Sequence, residues 1–125
     1  MIVTEVPTIA VVDDDDSVRS ALDNLLRSVG LAVTTFGSAE DFLASPAVRA
    51  VACLVADVQM PGMSGLDAVK ALKGWDETKN IPTMALSAAA TKNDIDKGLA
   101  AGFDRYLTKP VLVSEVTEAL RKAMV

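Results

Sequence analysis

TIAVVDDDDSVRSALDNLLRSVG (residues 8–30) is the stretch of sequence that decides the fold. Its first five residues are mostly apolar and β-branched, which predicts a short buried strand. Four consecutive aspartates follow the strand. After them, apolar side chains recur at helical spacing until Gly30, a residue that suits a helix end. The apolar positions are Val18, Ala21, Leu22, Leu25, Leu26 and Val29. This stretch therefore predicts a strand, an acidic turn and an amphipathic helix, in that order.

The same alternation of strand and helix continues along the chain. Further strands are predicted at residues 31–36, 51–56, 81–86 and 105–108. The run VACLVA at 51–56 is apolar without alternation, as expected of a central parallel strand that is covered on both faces. Five strands that alternate with five helices predict an α/β fold, in which a mostly parallel sheet is covered by helices on both sides.

Each of these strands is followed by a predicted helix. Ser38 with Asp41 three residues later has the pattern of a capping box, and Pro46 suits the end of that short helix. A helix over about 92–101 is expected to end before Gly102, and Ser114 is expected to cap the last helix. The side chains expected to face inward are Leu66, Val69, Ala71 and Leu72 in the third helix, Ile95 and Leu99 in the fourth, and Val116, Leu120 and Ala123 in the fifth.

The composition excludes several classes of function. A chain of 125 residues, half of them hydrophobic, predicts a single domain over residues 1–125. Seventeen acidic against twelve basic residues give a net charge of −5, which argues against direct binding of nucleic acid. The chain has no histidine, so acid–base catalysis by histidine, histidine metal ligands and a phosphohistidine are excluded within it.

Cysteine content and hydropathy predict the compartment. Cys53 is the one cysteine, so no internal disulfide can form, which fits a reducing environment. No apolar stretch approaches 18 residues, and the first residues do not have the pattern of a signal peptide. We therefore expect a cytoplasmic protein without a membrane partner.

Side chains that can do chemistry stand at the ends of the predicted strands. Asp13 and Asp14 follow the first strand, Asp57 the third, Ser87 the fourth and Lys109 the fifth. Because ligands of parallel α/β sheets bind beyond the carboxyl ends of the strands, these five residues are expected to share one crevice.

The four aspartates at 13–16 can be divided by position. Acidic residues after a strand are commonly turn formers or helix caps, and Asp15 and Asp16 fit that interpretation because they precede a helix. Asp13 and Asp14 follow the strand immediately and should point into the crevice, where Asp57 would complete a cluster of carboxylates. Oxygen ligands without cysteine or histidine favour a hard cation such as Mg²⁺.

Asp57 is also a candidate nucleophile. A carboxylate can attack a phosphoryl group and form an acyl phosphate. A hydroxyl from Ser87 and an ammonium group from Lys109 could then neutralise the phosphoryl oxygens. Taken singly, the serine could simply end a strand and the lysine could be a solvated surface charge.

Four motifs give the chain a family resemblance that extends over essentially all 125 residues. VVDDDDSVR, DVQMPGMSG, ALSAAA and YLTKP stand in the order and at the spacing of response-regulator receiver domains of two-component signalling, and the chain resembles that family. The resemblance implies a flavodoxin-like fold of five βα units with strand order 2-1-3-4-5. It also implies a phosphorylation-dependent switch, in which Asp57 accepts a phosphoryl group from a sensor histidine kinase or a histidine phosphotransfer protein.

The resemblance assigns metal ligands as well. It implies that Asp14, Asp57 and the backbone carbonyl of Gln59 bind Mg²⁺ directly, and that Asp13 assists directly or through water. By the same resemblance the domain assists its own phosphorylation and slow dephosphorylation, but is not an enzyme with a separate substrate.

The resemblance further implies the residues of the switch. Ser87 takes the switch hydroxyl position, Tyr106 the aromatic switch position and Lys109 the position of the phosphate-contacting lysine. Lys109–Pro110 is expected to be a cis peptide. For Tyr106, a core aromatic on an edge strand is the alternative interpretation.

Partners follow from the same resemblance. The face formed by the fourth helix, fifth strand and fifth helix is expected to bind a downstream protein, and homodimer formation is left open. The first half resembles receivers that precede a helix-turn-helix domain, whereas the second half resembles receivers of hybrid histidine kinases. A single-domain regulator and a piece of a larger protein therefore both stay open.

Two other functions are weighed against the switch. A haloacid-dehalogenase-like phosphohydrolase also uses a nucleophilic aspartate, but it places an acid–base aspartate two residues later, where this chain has Gln59. An interaction module of receiver shape that is never phosphorylated is the other alternative, although every phosphorylation position of the family is filled here.

Overall fold

Five strands and five α-helices make up the computed structural model of the protein, which describes residues 8–88, 91–109 and 112–123. The strands are β1 (Thr8–Val12), β2 (Ala32–Phe36), β3 (Cys53–Asp57), β4 (Thr83–Ser87) and β5 (Arg105–Thr108). The helices are α1 (Asp16–Ser28), α2 (Ala39–Ala44), α3 (Gly65–Gly74), α4 (Lys92–Ala101) and α5 (Val113–Ala123), and a short 3-10 helix spans Pro46–Arg49.

All strand pairs in the sheet are parallel, and the strand order is β2-β1-β3-β4-β5. The predicted α/β fold with order 2-1-3-4-5 is therefore confirmed. In the register of neighbouring strands, Val12 is paired with Ala56, Asp57 with Leu86, and Ser87 with Thr108. The carboxyl ends of β1, β3, β4 and β5 thus lie along the same edge of the sheet.

The two faces of the sheet bury separate hydrophobic clusters, as strand geometry requires, because successive side chains point to opposite faces. On one face, Ala10 and Val12 of β1 pack with Phe42 of α2 and Leu72 of α3. On the other face, the strand residues that alternate with these, such as Ile9 and Val11 of β1, pack with α1 and α5. The helix residues in this second cluster are Leu22, Leu26, Val116, Ala119 and Leu120. Burial on both faces explains the uninterrupted apolar runs in the sequence.

The end of α1 confirms the expected stop. Val29 is the C-cap residue of the helix, and Gly30 follows it with a positive φ of 90°. This left-handed conformation is one that glycine adopts without steric cost. None of the helices within the described ranges is long and apolar enough to cross a membrane.

Several details differ from the sequence predictions. Ser114 does not cap α5: the helix begins at Val113, and the backbone carbonyl of Leu112 accepts from the N–H groups of Glu115 and Val116. Leu99 does not face inward, since 46% of its surface is exposed. The buried position on α4 is Gly98, one residue earlier.

The predicted capping box at Ser38 is only partly formed. Ser38 Oγ accepts from the backbone N–H of Asp41 at 3.1 Å, but the backbone N–H of Ser38 does not donate to the Asp41 carboxylate in return. A complete capping box occurs at the start of α3 instead, where Ser64 and Asp67 satisfy each other's backbone N–H groups.

Candidate functional site

The predicted site residues meet at the carboxyl edge of the sheet. Asp13 directly follows β1 and is fully buried, and Asp57 ends β3 with 5% of its surface exposed. Ser87 ends β4 and is 1% exposed, and Lys109 follows β5. The structure therefore brings these four side chains to one crevice, at the place that the topology of parallel sheets assigns to ligands.

Backbone hydrogen bonds hold the site residues in register with the sheet. The N–H of Asp13 donates to the carbonyl of Phe36 at 3.1 Å, and the N–H of Lys109 donates to the carbonyl of Ser87 at 2.8 Å. Both bonds continue the parallel pairing just past the ends of the strands. The positions of Asp13 and Lys109 are thus set by the sheet rather than by a free loop.

Three carboxylates form a cluster in this crevice. Asp13, Asp14 and Asp57 each offer one oxygen, and these oxygens lie within 4.8 Å of one another. Asp14 is exposed, whereas the other two are buried. Like charges at such separations repel, so the cluster needs a positive partner.

Lys109 supplies one positive charge to the cluster. Its Nζ donates a hydrogen bond to Asp57 Oδ2 at 3.0 Å and lies 2.9 Å from Asp13 Oδ2. The side chain is 22% exposed, so the ion pairs are only partly screened by solvent. One ammonium group does not neutralise three carboxylates.

The backbone satisfies one oxygen of each of the two buried aspartates. Asp13 Oδ1 accepts from the N–H of Asp15 at 2.9 Å, and Asp57 Oδ1 accepts from the N–H of Gln59 at 3.0 Å. Asp13 Oδ2 is buried and accepts no hydrogen bond of acceptable geometry, despite the nearby ammonium group. Three carboxylates that share a single ammonium group form an all-oxygen donor set, which fits a hard divalent cation such as Mg²⁺.

The ionisation of Asp57 reflects its surroundings. Burial raises the pKa of its carboxyl group, the hydrogen bonds from Lys109 and Gln59 lower it in part, and the charge of Asp13 raises it again. For Lys109, burial alone would lower the pKa, but the carboxylates of Asp13 and Asp57 outweigh burial, so the net direction is upward. The lysine is thus held in its charged form beside the aspartates.

The start of α3 is packed against the backbone of Asp57. A Cβ atom on Gly65 would overlap the carbonyl oxygen of Asp57, so only glycine fits at this position. The sequence analysis uses the segment DVQMPGMSG only as a motif and does not predict this contact. The available signal was the glycine that directly follows Ser64, the residue that caps the helix.

The acidic run divides between the crevice and the helix, as its positions predict. Asp15 is the N-cap of α1, and its side chain accepts from the N–H groups of Ser17 and Val18. Asp16 lies in the first turn and pairs with Arg19. Sequence reasoning missed the second contact of Arg19, whose Nη1 donates to the carbonyl of Asp13 at 2.6 Å and so ties the helix to the crevice.

Ser87 and Tyr106 border one small cavity beside the crevice. The cavity measures about 210 Å³ and is lined by Val58, Gln59, Leu66, Ser87, Asp94, Lys97 and Tyr106. Tyr106 is half-buried on β5, the edge strand. It therefore lies between the site and the outer surface of the sheet edge. Pro110, and with it the predicted cis peptide after Lys109, lies outside the described residues.

Comparison with known proteins gives the family. The family model of the response regulator receiver domain matches residues 9–121. The response regulator protein TodT of Pseudomonas putida is 40% identical over 116 residues, which are 93% of this chain and 50% of TodT. The chain spans about half the length of the curated relatives that it matches.

Solved structures agree with this comparison. The response regulator StyR is 36% identical with a TM-score of 0.84, over 96% of this chain and 60% of that one. The chemotaxis response regulator CheY4 of Vibrio cholerae is 25% identical with a TM-score of 0.87, over 95% of this chain and 99% of that one. Together with the family model, these similarities show that the chain belongs to the response regulator receiver domains, the phosphoacceptor switches of two-component signalling.

Proposed function

We propose that Asp57 is the residue that accepts the phosphoryl group in this receiver domain. The observation that carries the proposal is the position of Lys109 Nζ, 3.0 Å from Asp57 Oδ2 and 2.9 Å from Asp13 Oδ2, with Asp14 beside them. A nearly buried carboxylate at the end of a central strand, with a fixed cation on one side and acidic ligands on the other, has the surroundings that a phosphoryl acceptor needs.

The transfer can be written from the residues in the crevice. A carboxylate oxygen of Asp57 attacks the phosphorus of a phosphohistidine, the P–N bond breaks, and the imidazole of the donor leaves with the bonding electron pair. Because residues 1–125 contain no histidine, the donor is a phosphohistidine outside this domain or a small phosphodonor. A sensor histidine kinase or a histidine phosphotransfer protein fits that requirement.

Lys109 and Ser87 stabilise the transferred group. In the resting site Lys109 is paired with Asp57, and the same ammonium group can turn to a phosphoryl oxygen when the carboxylate becomes an acyl phosphate. The hydroxyl of Ser87, at the neighbouring strand end, can donate to a second oxygen. These residues assist transfer to their own chain, so we propose a switch that catalyses its own modification and its slow reversal, without a separate substrate.

Mg²⁺ completes the proposed site. Asp14, Asp57 and the backbone carbonyl of Gln59 would hold it, with Asp13 assisting, and the excess of three carboxylates over one ammonium group supports this set of ligands. The chemistry supplied by the bound ion is neutralisation of the charge on the phosphoryl oxygens.

The proposed output surface lies beside Tyr106. A groove of about 310 Å³ between β5 and α5 is lined by charged residues of both signs, including Asp104, Arg105, Glu115 and Lys122. Mixed charge around a partly apolar groove suits a protein partner rather than a nucleic acid. We propose that residues 1–125 act as one receiver unit in the cytoplasm, and that this face binds a downstream protein or a second copy of the chain.

Mass spectrometry after incubation with acetyl phosphate and Mg²⁺ tests the assignment. We expect one added phosphoryl group on the parent chain, none on Asp57→Asn, and unchanged addition on Asp96→Asn, which alters an exposed aspartate of α4. Labelling that survives Asp57→Asn would contradict the assignment. If the parent chain takes up no phosphoryl group, the chain is an interaction module that keeps only the receiver shape.

A further inference from the structure

Gly98 occupies an unusual position in the middle of α4. Glycine is unfavourable in a helix interior relative to alanine, because it loses more conformational freedom on folding. The described glycines with positive φ are Gly30, Gly62 and Gly102, and Gly98 is not among them. Its backbone is therefore helical and would accept an alanine, so the reason for glycine must lie in the space around it.

The ring of Tyr106 fills that space. A Cβ atom on Gly98 would lie 2.9 Å from Cδ2 and 3.0 Å from Cε2 of Tyr106, which is closer than real Cβ contacts allow. Because these atoms belong to a rigid ring rather than to the end of a flexible chain, an alanine would displace either the ring or the helix. Gly74, in α3, provides the contrast, since a Cβ there would have nothing within 4 Å.

The seated ring separates two spaces that matter for the proposed switch. On one side, Tyr106 borders the cavity of about 210 Å³ that it shares with Ser87, Asp94 and Lys97. On the other side, it borders the groove between β5 and α5. A change in the position of this ring would therefore alter the shape of both the cavity and the groove.

We propose that Gly98 is a positioning residue that sets the resting position of Tyr106. The missing side chain forms a slot in α4, the Gly98 slot, and the contact of the ring with this slot stabilises the present position against one turned toward Ser87. The inference rests on the proposed function, because a movement of the ring toward Ser87 has a consequence only if Ser87 responds to phosphorylation of Asp57. Closing the slot with a methyl group removes that stabilisation, so the turned ring becomes more populated before any phosphorylation.

The chain is well suited to a direct test, because Tyr106 is its one tyrosine. Incorporation of 3-fluorotyrosine gives a ¹⁹F NMR spectrum that reports this ring alone. We expect the resonance of the parent chain to move when beryllofluoride and Mg²⁺, a mimic of the phosphoryl group, are added. In Gly98→Ala without the mimic, the ratio of turned to seated ring should rise about tenfold, the size of effect that one additional methyl group in a packed contact produces.

Gly74→Ala is the matched control, and its ¹⁹F spectrum should equal that of the parent chain with and without the mimic. The proposal for Gly98 would be overturned if Gly98→Ala gave the same spectrum as the parent chain. It would also be overturned if the Gly98→Ala resonance moved in the direction opposite to the shift that the mimic causes in the parent chain. If the parent resonance does not respond to beryllofluoride, Tyr106 does not take part in the switch. The proposed effect of Gly98 on the switch is then refuted as well.

A double-mutant cycle measures the slot independently of phosphorylation. In urea unfolding, Gly98→Ala should lower the folding equilibrium constant of the parent chain about tenfold, since the methyl group meets the ring. In the Tyr106→Ala background the same substitution should raise that constant, because the space is open and alanine favours the helix. Equal effects in the two backgrounds would show that the ring does not occupy the slot, and would overturn the proposal even if the switch itself operates.

Discussion

The ammonium nitrogen of Lys109 lies 3.0 Å from Asp57 Oδ2, although β5 and β3, which lead to these residues, are not neighbours in the sheet. β4 lies between them, and Lys109 reaches past its end, where Ser87 is buried. The same nitrogen lies 2.9 Å from Asp13 Oδ2 at the end of β1. One cation therefore offsets the repulsion between two buried carboxylates and joins three strand ends.

Removing this cation should destabilise the fold. Lys109→Met keeps most of the side-chain volume but leaves Asp13 and Asp57 without their ion pair, which should cost about 1–3 kcal/mol in the free energy of unfolding with EDTA present. Millimolar Mg²⁺ should recover part of the loss, since the metal offsets the same repulsion. Urea unfolding measures both values, with the exposed Lys70→Met as control. A loss that Mg²⁺ leaves unchanged would contradict the assignment of the metal site.

The division of the acidic run predicts two different phenotypes. Asp14→Ala should weaken Mg²⁺ binding strongly and leave stability in EDTA nearly unchanged, because Asp14 is exposed and belongs to the carboxylate cluster. Asp15→Ala should lower stability by about 0.5–2 kcal/mol through loss of the N-cap, with Mg²⁺ affinity retained.

Isothermal titration calorimetry is the suitable measurement of metal affinity for these variants. Trp75 follows the last residue of α3, about 15 Å along the helix from the end that packs on Asp57, so its fluorescence is a poor reporter. Equal losses of Mg²⁺ affinity in Asp14→Ala and Asp15→Ala would contradict the assignment of Asp14 to the metal site and of Asp15 to the helix.

The backbone of the site was predictable from the sequence because it depends on local patterns. The predicted strands end next to Asp13, Asp57 and Lys109. In a parallel sheet these carboxyl ends lie along one edge, so the three side chains were expected to be close together. The N-cap role of Asp15 followed from its position before an apolar helix. These features need only short-range chemistry and one topological rule.

The contacts that sequence reasoning missed are long-range or steric. Gly65 against Asp57 and Gly98 against Tyr106 are close approaches between distant segments, and a glycine in a sequence does not show which atom lies beside it. Leu99 was expected inside because it fits helical spacing, but the buried face of α4 is centred on Gly98, which hydrophobic periodicity does not count.

Gly65 should tolerate no side chain. In Gly65→Ala the new Cβ would overlap the carbonyl oxygen of Asp57, so either α3 or the end of β3 must move. We expect a loss of about 1–3 kcal/mol in the free energy of unfolding. We also expect slower labelling of Asp57 by acetyl phosphate, because the carboxylate moves with its backbone. Gly74→Ala, where a Cβ meets nothing, should be neutral or slightly stabilising, and equal behaviour of the two variants would contradict the contact.

Cys53 should make stability fall at alkaline pH. Burial, with a smaller contribution from the charge of Asp104, raises the pKa of this thiol from its ordinary value of 9.0 to about 12. Above pH 9 the unfolded chain loses the thiol proton while the folded chain keeps it, so stability decreases as pH rises, by at most about 1.4 kcal/mol per pH unit. Urea unfolding at pH 8 and pH 10 should show a shallower decrease for Cys53→Ala than for the parent chain. Identical slopes would mean that the thiol ionises equally in both states.

Ser87→Ala should separate phosphorylation from its structural consequence. Ser87 is 1% exposed and borders the same cavity as Tyr106, so its hydroxyl is well placed to transmit a change at Asp57 to β5. Without the hydroxyl, Asp57 keeps Lys109 as its charged partner and should still be labelled by acetyl phosphate. The response to the phosphoryl group around residues 92–109 should be lost, because nothing draws the end of β4 toward the new oxygens.

Backbone NMR shifts or hydrogen exchange with and without beryllofluoride measure that response. Ser20→Ala, which alters an exposed serine of α1, should respond as the parent chain does. If Ser87→Ala shows the same beryllofluoride-dependent changes as the parent chain, the signal passes from Asp57 to β5 by a route that does not include this hydroxyl. If Ser87→Ala loses labelling altogether, the serine contributes to phosphoryl transfer itself. Retained labelling with a lost response is therefore the outcome that identifies Ser87 as the switch residue.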